Sequence, residues 1–288
     1  MERTAAAGGN GAAPTVAAVV LAGGSGLRVG GDRNKAYLPL GGRTAVGLSL
    51  AATAAGSGPG LRRLVLVVRP DDADLAARTL AEELPRPPVP VELVVGGGSR
   101  HGSEERALHH LEPAIRAGGL DLVLIHDAAR PLCPPSLVAA LVGTASRRGG
   151  AVPGVVADDL ALWDDAAAHG ASLVPLAGTH VRVQTPQVFA AAPLLAAYRR
   201  AAAAGFEGTD TAACVERFSA LEVVHVPGEE RNFKITYPHD VQVADAFVRR
   251  HPEPVAAPDG PGPVRERPVP SGPDPARRRW PGGGVLGG

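Results

Sequence analysis

Short apolar segments of strand length alternate with longer helical segments along this chain, and this alternation constrains the fold more than any other feature. The apolar runs are Val16–Leu21, Arg63–Val68, Val91–Val95, Leu122–His126, Ala151–Val156 and Leu221–Val226. The helical segments are Ala45–Ala55, Asp71–Leu84, Ser103–Ile115, Pro135–Ser146, Pro193–Ala204, Thr209–Arg217 and Pro238–Arg249. Strands that are apolar throughout are buried on both faces, so helices must cover both sides of a largely parallel sheet. The sequence therefore predicts an α/β fold with one doubly wound, mostly parallel sheet and a ligand site at the carboxyl ends of its strands.

The remaining segments define the limits of this domain. Residues 1–13 are rich in Ala and Gly without apolar periodicity, which predicts a disordered leader before a single domain at 14–250. Residues 157–183 fit neither a helix nor a strand, and we expect a protruding arm there. Between His251 and Gly288, 18 of 38 residues are Pro or Gly, so residues 251–288 are predicted to be a disordered tail.

Composition excludes several classes of function. The 29 basic residues balance 29 acidic ones, which argues against a protein that coats nucleic acid or an anionic membrane. No apolar run approaches the roughly 20 residues of a membrane-spanning helix. Two cysteines, Cys133 and Cys214, are too few for a disulfide framework and lack metal-ligand spacing, so a cytoplasmic protein is expected.

Lysine is scarce in this chain. The 29 basic residues are 27 Arg and only two Lys, at Lys35 and Lys234. An ammonium group is a compact point charge, whereas a guanidinium is a wide planar fork. The two lysines therefore mark either positions that arginine cannot fill or two leftover surface residues.

A glycine-rich loop follows the first strand. It runs Leu21-Ala22-Gly23-Gly24-Ser25-Gly26 and is followed by Arg28, Arg33 and Lys35. The Gly-Lys-Ser/Thr of a Walker loop is absent, and a dinucleotide loop would require an acidic residue where this chain has Arg69. A long, basic, glycine-rich loop suits a triphosphate, because its backbone N–H groups and cations converge on one anion. A plain basic surface loop is the alternative.

Six motifs in order extend this interpretation to the whole domain. They are Leu21-Ala22-Gly23-Gly24-Ser25-Gly26-Leu27-Arg28 with Lys35-Ala36-Tyr37-Leu38, Gly96-Gly97-Gly98-Ser99-Arg100-His101-Gly102-Ser103, His126-Asp127-Ala128-Ala129-Arg130-Pro131, Gln184-Thr185-Pro186-Gln187, Thr209-Asp210, and Asn232-Phe233-Lys234-Ile235-Thr236. Together they resemble the 2-C-methyl-D-erythritol 4-phosphate cytidylyltransferase family, with the ribitol-5-phosphate cytidylyltransferases as close relatives. The resemblance covers about Val16 to Val248.

The resemblance implies a Rossmann-like nucleotidyltransferase fold and a homodimer that joins CTP to a polyol phosphate, releases pyrophosphate and uses Mg²⁺. Its implied catalytic residues are Arg28, Lys35 and Lys234. Its implied nucleotide-binding residues are Ala22, Gly23, Gly24, Gly26, Gly97, Arg100 and Ser103. Its implied acceptor-binding residues are Asp127, Arg130, Thr185 and Arg182, and Asp127 is also the implied metal ligand.

Three of these positions have further interpretations. Ser103 would also suit the N-cap of a helix that begins at Glu104, and Asp127 would suit a turn. His126 is expected in the core rather than as a base, because an attacking phosphate needs no deprotonation.

The match fails at several acceptor positions. The family's Asp-Thr-x-Lys segment is Asp158-Asp159-Leu160-Ala161 here, and its arm arginine falls on Ala177, which leaves the nearby Arg182 as a substitute. Asn34 also replaces the usual Pro before Lys35. Three hypotheses follow: the methylerythritol-phosphate enzyme, an enzyme for another polyol phosphate such as ribitol 5-phosphate, and a nucleotide-binding paralogue without turnover. The retained Arg28, Lys35 and Lys234 argue against the third.

Overall fold

The computed structural model describes residues 13–24, 34–164, 172–175, 178–251 and 267–268. Its strands are β1 (Val16–Leu21), β2 (Pro39–Leu40), β3 (Arg43–Thr44), β4 (Leu61–Val68), β5 (Val91–Val95), β6 (Leu122–Asp127), β7 (Gly150–Val156), β8 (Ala161–Asp164), β9 (Ser172–Pro175), β10 (Val181–Val183), β11 (Gln187–Ala190), β12 (Val223–Pro227) and β13 (Arg267–Pro268). Its α-helices are α1 (Ala45–Ser57), α2 (Ala73–Glu83), α3 (Arg100–Arg116), α4 (Pro135–Arg148), α5 (Ala191–Ala203), α6 (Thr211–Phe218) and α7 (Pro238–Arg250).

One large sheet organises the fold. Its strand order is β13-β12-β7-β11-β6-β1-β4-β5, and β10 adds to it beside β7. Strand β1 is parallel to both β4 and β6, β4 is parallel to β5, and β7 is parallel to β12. Strand β11 lies antiparallel between β6 and β7. The predicted doubly wound, mostly parallel α/β sheet is confirmed.

Burial on both faces explains why the central strands are apolar throughout. Every residue of β1 is buried. Successive side chains point to opposite faces, so Val20 joins the cluster that contains Leu50 of α1, whereas Val19 joins the cluster that contains Leu111 of α3. Helix α4 packs with α1 on the first face, and α5 and α6 pack with α3 on the second.

Two parts of the predicted secondary structure needed tertiary information. Strand β11 was not predicted, because its four residues are too few to show a period. Strands β8 and β9 pair with each other in a separate sheet, within the predicted arm at 157–183. Strand β10, at the end of that range, pairs with β7 and so belongs to the main sheet.

The predicted leader and tail lie almost wholly outside the described residues. The exceptions are Ala13, His251 and strand β13, which pairs antiparallel with Val224 and His225 of β12. Disorder at both ends therefore stays a prediction. None of the helices in the described part of the chain combines the length and hydrophobicity needed to cross a bilayer.

Candidate active site

A cavity opens at the carboxyl ends of β1 and β6, where the chain changes direction across the sheet. After β1 the chain builds β4 and β5 on one side and returns to the other side with β6. Leu21, at the end of β1, lies opposite Asp127 at the end of β6. Ligands bind at such a switch point, since two diverging loops leave a crevice there. The cavity has a volume of about 470 Å³ and is lined by Leu21, Ala22, Gly23, Gly24, Asn34, Lys35, Ala36, Gly97, Gly98, Ser99, Arg100, Ser103, Asp127, Ala129 and Lys234.

The cavity unites most of the predicted nucleotide-binding residues. Ala22, Gly23 and Gly24 line one wall, and the N–H of Ala22 donates to the Val67 carbonyl at 2.8 Å. Gly26 and Arg28 lie outside the described residues, so their predicted roles stay predictions. The loop's attachment to β4 holds the start of the glycine segment against the cavity.

Asn34 fixes the turn that carries Lys35. This asparagine is buried, and its side chain caps the single helical turn Lys35–Tyr37 by accepting the N–H of Ala36 at 3.1 Å. Its amide nitrogen donates to the Ala22 carbonyl at 2.6 Å and to Asp72 at 2.7 Å. The residue that departs from the family pattern thus ties the lysine turn to the glycine loop.

The turn between β5 and α3 contributes a second wall. Helix α3 begins at Arg100 with Ser99 as its N-cap, whose hydroxyl accepts the N–H of Gly102 at 3.0 Å. Ser103 is therefore not the N-cap; it lies in the first turn, donates to the Ser99 carbonyl at 2.8 Å and lines the cavity. A Cβ atom on Gly97 would lie 2.6 Å from the backbone of Gly102, so only glycine permits this close approach.

Asp127 is the centre of the site's electrostatics. Its Oδ1 accepts from Arg100 Nε at 3.1 Å, and its Oδ2 accepts from Lys234 Nζ at 2.6 Å. Burial alone would raise the pKa of Asp127, but Arg100 and then Lys234 outweigh burial and hold that pKa far below its usual value. Asp127 is therefore ionised at any working pH.

Arg100 is held from two sides. Besides Asp127 it binds Glu104, to which its Nη1 donates at 2.8 Å, while its Nη2 is buried with no hydrogen-bond partner among the described residues. Burial opposes the charge on Arg100, but Asp127 and Glu104 outweigh it and raise the pKa of Arg100. A buried guanidinium nitrogen without a partner in a cavity wall is a donor that a ligand can satisfy.

Two predicted acceptor-binding residues, Thr185 and Arg130, are not among the residues that line the cavity. The Thr185 hydroxyl accepts the backbone N–H of Asp127 at 3.0 Å and donates to Nδ1 of His126 at 3.2 Å. Arg130 donates to the Asn232 carbonyl at 2.8 Å, two residues before Lys234. Both residues support the neighbours of the cavity, and direct contact with the acceptor stays a prediction for both.

His126 occupies the core, as expected for a residue without a role as base. Its Nε2 lies 3.2 Å from the Arg130 carbonyl, so Nε2 carries the proton and Nδ1 accepts from Thr185. Burial lowers the pKa of His126 to about 4. The imidazole is therefore neutral and fully engaged at neutral pH.

A family model described as IspD, 2-C-methyl-D-erythritol 4-phosphate cytidylyltransferase, matches residues 16–250. The chain belongs to this family. Among curated relatives, the 2-C-methyl-D-erythritol 4-phosphate cytidylyltransferase of Cereibacter sphaeroides is 39% identical over 235 residues, covering 81% of this chain and 97% of that protein. A Dinoroseobacter shibae protein named bifunctional enzyme IspD/IspF is 36% identical over 82% of this chain and 54% of its own length.

Solved structures agree with this membership. The 2-C-methyl-D-erythritol 4-phosphate cytidylyltransferase of Thermus thermophilus has a TM-score of 0.59 at 30% identity, covering 82% of this chain and 99% of that one. The 4-diphosphocytidyl-2C-methyl-D-erythritol synthase of Anaerococcus prevotii has a TM-score of 0.68 at 26% identity, covering 83% and 97%. The resemblance inferred from the six motifs is confirmed, and this cytidylyltransferase family member is a nucleotidyltransferase enzyme.

The acceptor half of this cytidylyltransferase departs from the family in a definite way. Arg182 donates to Asp159 at 2.5 Å, and both side chains are more than half exposed. Neither residue lines the cavity, and Ala177 lies outside the described residues. The predicted substitute cation is therefore neutralised by the acidic residue that replaces the family's threonine, and its role on the acceptor stays a prediction.

The donor set fits Mg²⁺ only when the nucleotide supplies further ligands. The described residues contain no group of three or more His, Cys, Asp or Glu side chains that could hold a metal ion. Asp127 is the one carboxylate among the described residues that line the cavity. Mg²⁺ is commonly held by one or two carboxylates together with substrate phosphates, so Asp127 fits an ion that is carried by a triphosphate.

Sequence reasoning missed two residues of this site, Asn34 as a structural element and Glu104 as a buried charge. Asparagine immediately before a short helical turn is a recognisable N-cap signal, so Asn34 could have been found. Glu104 carries no such signal, because a glutamate near a helix N-terminus is usually a solvated residue that favours the helix dipole.

Proposed function

We propose that this chain transfers the cytidylyl group of CTP to 2-C-methyl-D-erythritol 4-phosphate and releases pyrophosphate, the reaction named by its relatives in isoprenoid precursor synthesis. One observation carries the proposal. The glycine segment, Lys35, Arg100, Asp127 and Lys234 come from distant parts of the chain and border one cavity at the switch point of the sheet.

The chemistry asks the protein for position and charge. A phosphate oxygen of the acceptor attacks the α-phosphorus of CTP, a new P–O bond forms, and the bond to the leaving pyrophosphate breaks. The attacking oxygen is already anionic, so no base is required, and the neutral, buried His126 matches that need. Positioning and neutralisation of negative charge dominate such transfers.

The two lysines divide this work. Lys35 lies beside the glycine segment, where its ammonium would stabilise negative charge on the α-phosphate and the leaving group. Lys234 borders the same cavity and is bound to Asp127. There it would hold the acceptor phosphate, while Asp127 maintains its charge and position until substrate arrives.

Arg100 and Ser103 would select the cytosine base, since both lie at the turn before α3 with donors toward the cavity wall. Asp127 would hold a magnesium ion carried by CTP, and that ion would neutralise phosphate charge during transfer. Removal of divalent metal with EDTA should abolish turnover, and restoring Mg²⁺ should recover it.

A homodimer is part of the proposal. Exposed apolar side chains flank the arm: Val156 is 65% exposed, Leu160 39% and Val183 37%. Apolar residues grouped at one surface favour a protein partner, and a second copy of this chain would cover them. Sedimentation at micromolar concentration should give a dimer; a monomer with full activity would contradict this. Two buried, free cysteines support a reducing, cytoplasmic setting.

The decisive experiment measures pyrophosphate release with Mg²⁺ over a panel of nucleotides and polyol phosphates. We expect turnover with CTP and 2-C-methyl-D-erythritol 4-phosphate and much weaker turnover with ATP or GTP. The panel includes ribitol 5-phosphate, because Asp159 and Ala161 replace the family's threonine and lysine at the acceptor segment. Higher kcat/KM with ribitol 5-phosphate would reassign the acceptor, and CTP binding without turnover on any acceptor would support a non-catalytic paralogue.

A further inference from the structure

Glu104 is a fully buried acid in the first part of α3, and none of the predicted roles uses it. Its exposure is 0%. Its Oε1 accepts from Nη1 of Arg100 at 2.8 Å and from the hydroxyl of Thr211 on α6, and its Oε2 accepts from the hydroxyl of Tyr198 on α5 at 2.7 Å. Three donors from three helices thus converge on one carboxylate.

Stability is a poor explanation for this arrangement. Burying a carboxylate is unfavourable unless its partners are excellent, and replacing a buried ion pair with apolar residues of similar volume is often neutral or stabilising. The surrounding cluster of α3, α5 and α6 is otherwise mainly apolar, including Leu108, Leu194 and Val215. An apolar residue at position 104 would suit that cluster, so the charge calls for another function.

The function lies in what Glu104 does to Arg100. The guanidinium of Arg100 donates from Nε to Asp127 at 3.1 Å and from Nη1 to Glu104 at 2.8 Å. Two carboxylates from different elements fix the plane of a rigid, planar fork, whereas one carboxylate would leave it free to rotate. The other oxygen of Asp127 holds Lys234, so charges alternate in sign from Glu104 through Arg100 and Asp127 to Lys234.

We propose that Glu104 is a positioning residue of the nucleotide site: its buried carboxylate anchors Arg100 from behind, so that Arg100 is held in the cavity wall in the orientation that binds the cytidine nucleotide. This inference rests on the proposed function. It adds a specificity element that lies outside the cavity lining and that acts through Arg100 rather than on substrate.

The test is the Glu104→Gln variant, because glutamine keeps the side chain's shape and hydrogen-bonding capacity but removes its charge. We expect the KM for CTP and the calorimetric Kd for CTP to rise about tenfold, as for loss of a hydrogen bond to a charged group, with kcat within twofold of wild type. Uniform loss of nucleotide binding changes KM rather than kcat. A purely structural role would lower the melting temperature and the active fraction without changing KM.

Glu112→Gln is the matched control. Glu112 lies on the same helix and pairs with Arg116 and Arg199, and it does not line the cavity. This variant should leave the KM for CTP unchanged. If Glu104→Gln does not fold, Tyr198→Phe and Thr211→Val each remove one donor to Glu104 and should raise the KM for CTP about twofold to threefold.

The outcomes separate the two proposals. Wild-type protein that neither binds CTP nor releases pyrophosphate from it would refute the proposed function. Active wild-type protein with an unchanged KM for CTP in Glu104→Gln, or in the two donor variants where that protein is unfolded, would overturn the positioning role of Glu104 alone.

Discussion

Replacing Asn34 with alanine should damage both the stability and the catalytic rate of this cytidylyltransferase. The substitution removes three contacts: the cap on the N–H of Ala36 at 3.1 Å, the bond to the Ala22 carbonyl at 2.6 Å and the bond to Asp72 at 2.7 Å. A lost cap costs about 1 kcal/mol, a neutral hydrogen bond about 1 kcal/mol, and a bond to a carboxylate about 1.5 kcal/mol. Arg69 still binds Asp72 through two contacts, which reduces the total to about 3 kcal/mol.

The loss should be visible in two assays. For a domain of this size, about 3 kcal/mol lowers the melting temperature by roughly 6–12 °C. Because Asn34 sets the turn that carries Lys35, kcat should fall on the order of tenfold to 100-fold, as when a reacting group is displaced by about 1 Å. Thermal melts by circular dichroism and a coupled pyrophosphate assay measure the two effects.

Thr44→Ala provides the matched control. Thr44 caps α1 by accepting the N–H of Gly47 at 3.0 Å, and it does not line the cavity. This variant should lose about 1 kcal/mol of stability and keep its kcat. If Asn34→Ala retained as much kcat as Thr44→Ala at a temperature where both are folded, the link between Asn34 and Lys35 would be refuted.

Three further predictions follow from the site. Lys35→Ala should reduce kcat by about 10² to 10³, since its charge meets negative charge that grows in the transition state; near-normal kcat would remove Lys35 from catalysis. Lys234→Ala should also raise the KM for the acceptor, since Lys234 would bind the phosphate in the ground state, and an unchanged acceptor KM would contradict that assignment. Burial lowers the pKa of His126 from 6.5 to about 4, so folding favours the neutral imidazole. Its contribution to stability is complete above pH 6.5 and is lost as the pH falls toward 4, by about 3 kcal/mol in all. Denaturant titrations between those pH values should show a steeper loss in wild type than in His126→Gln, and equal slopes would show that the imidazole is not the cause.

Most of the secondary structure could be predicted from local pattern alone. Every helix predicted from the sequence is present, with ends displaced by at most three residues, because the apolar period and the caps are local properties. Strand β11 could not be predicted, because Gln187–Ala190 becomes a strand only through its antiparallel neighbours β6 and β7. The order of strands likewise depends on long-range pairing.

The sequence by itself determined the α/β class, the nucleotide loop and the identity of the family, since these depend on short motifs whose spacing is local. Only the tertiary structure brought Arg100, Asp127 and Lys234 together, placed Thr185 beneath Asp127, and paired Arg182 with Asp159. It also showed that Glu104 is buried. These facts concern residues up to 107 positions apart, and their energies depend on burial and distance. Neither quantity exists until the sheet and its helices have assembled.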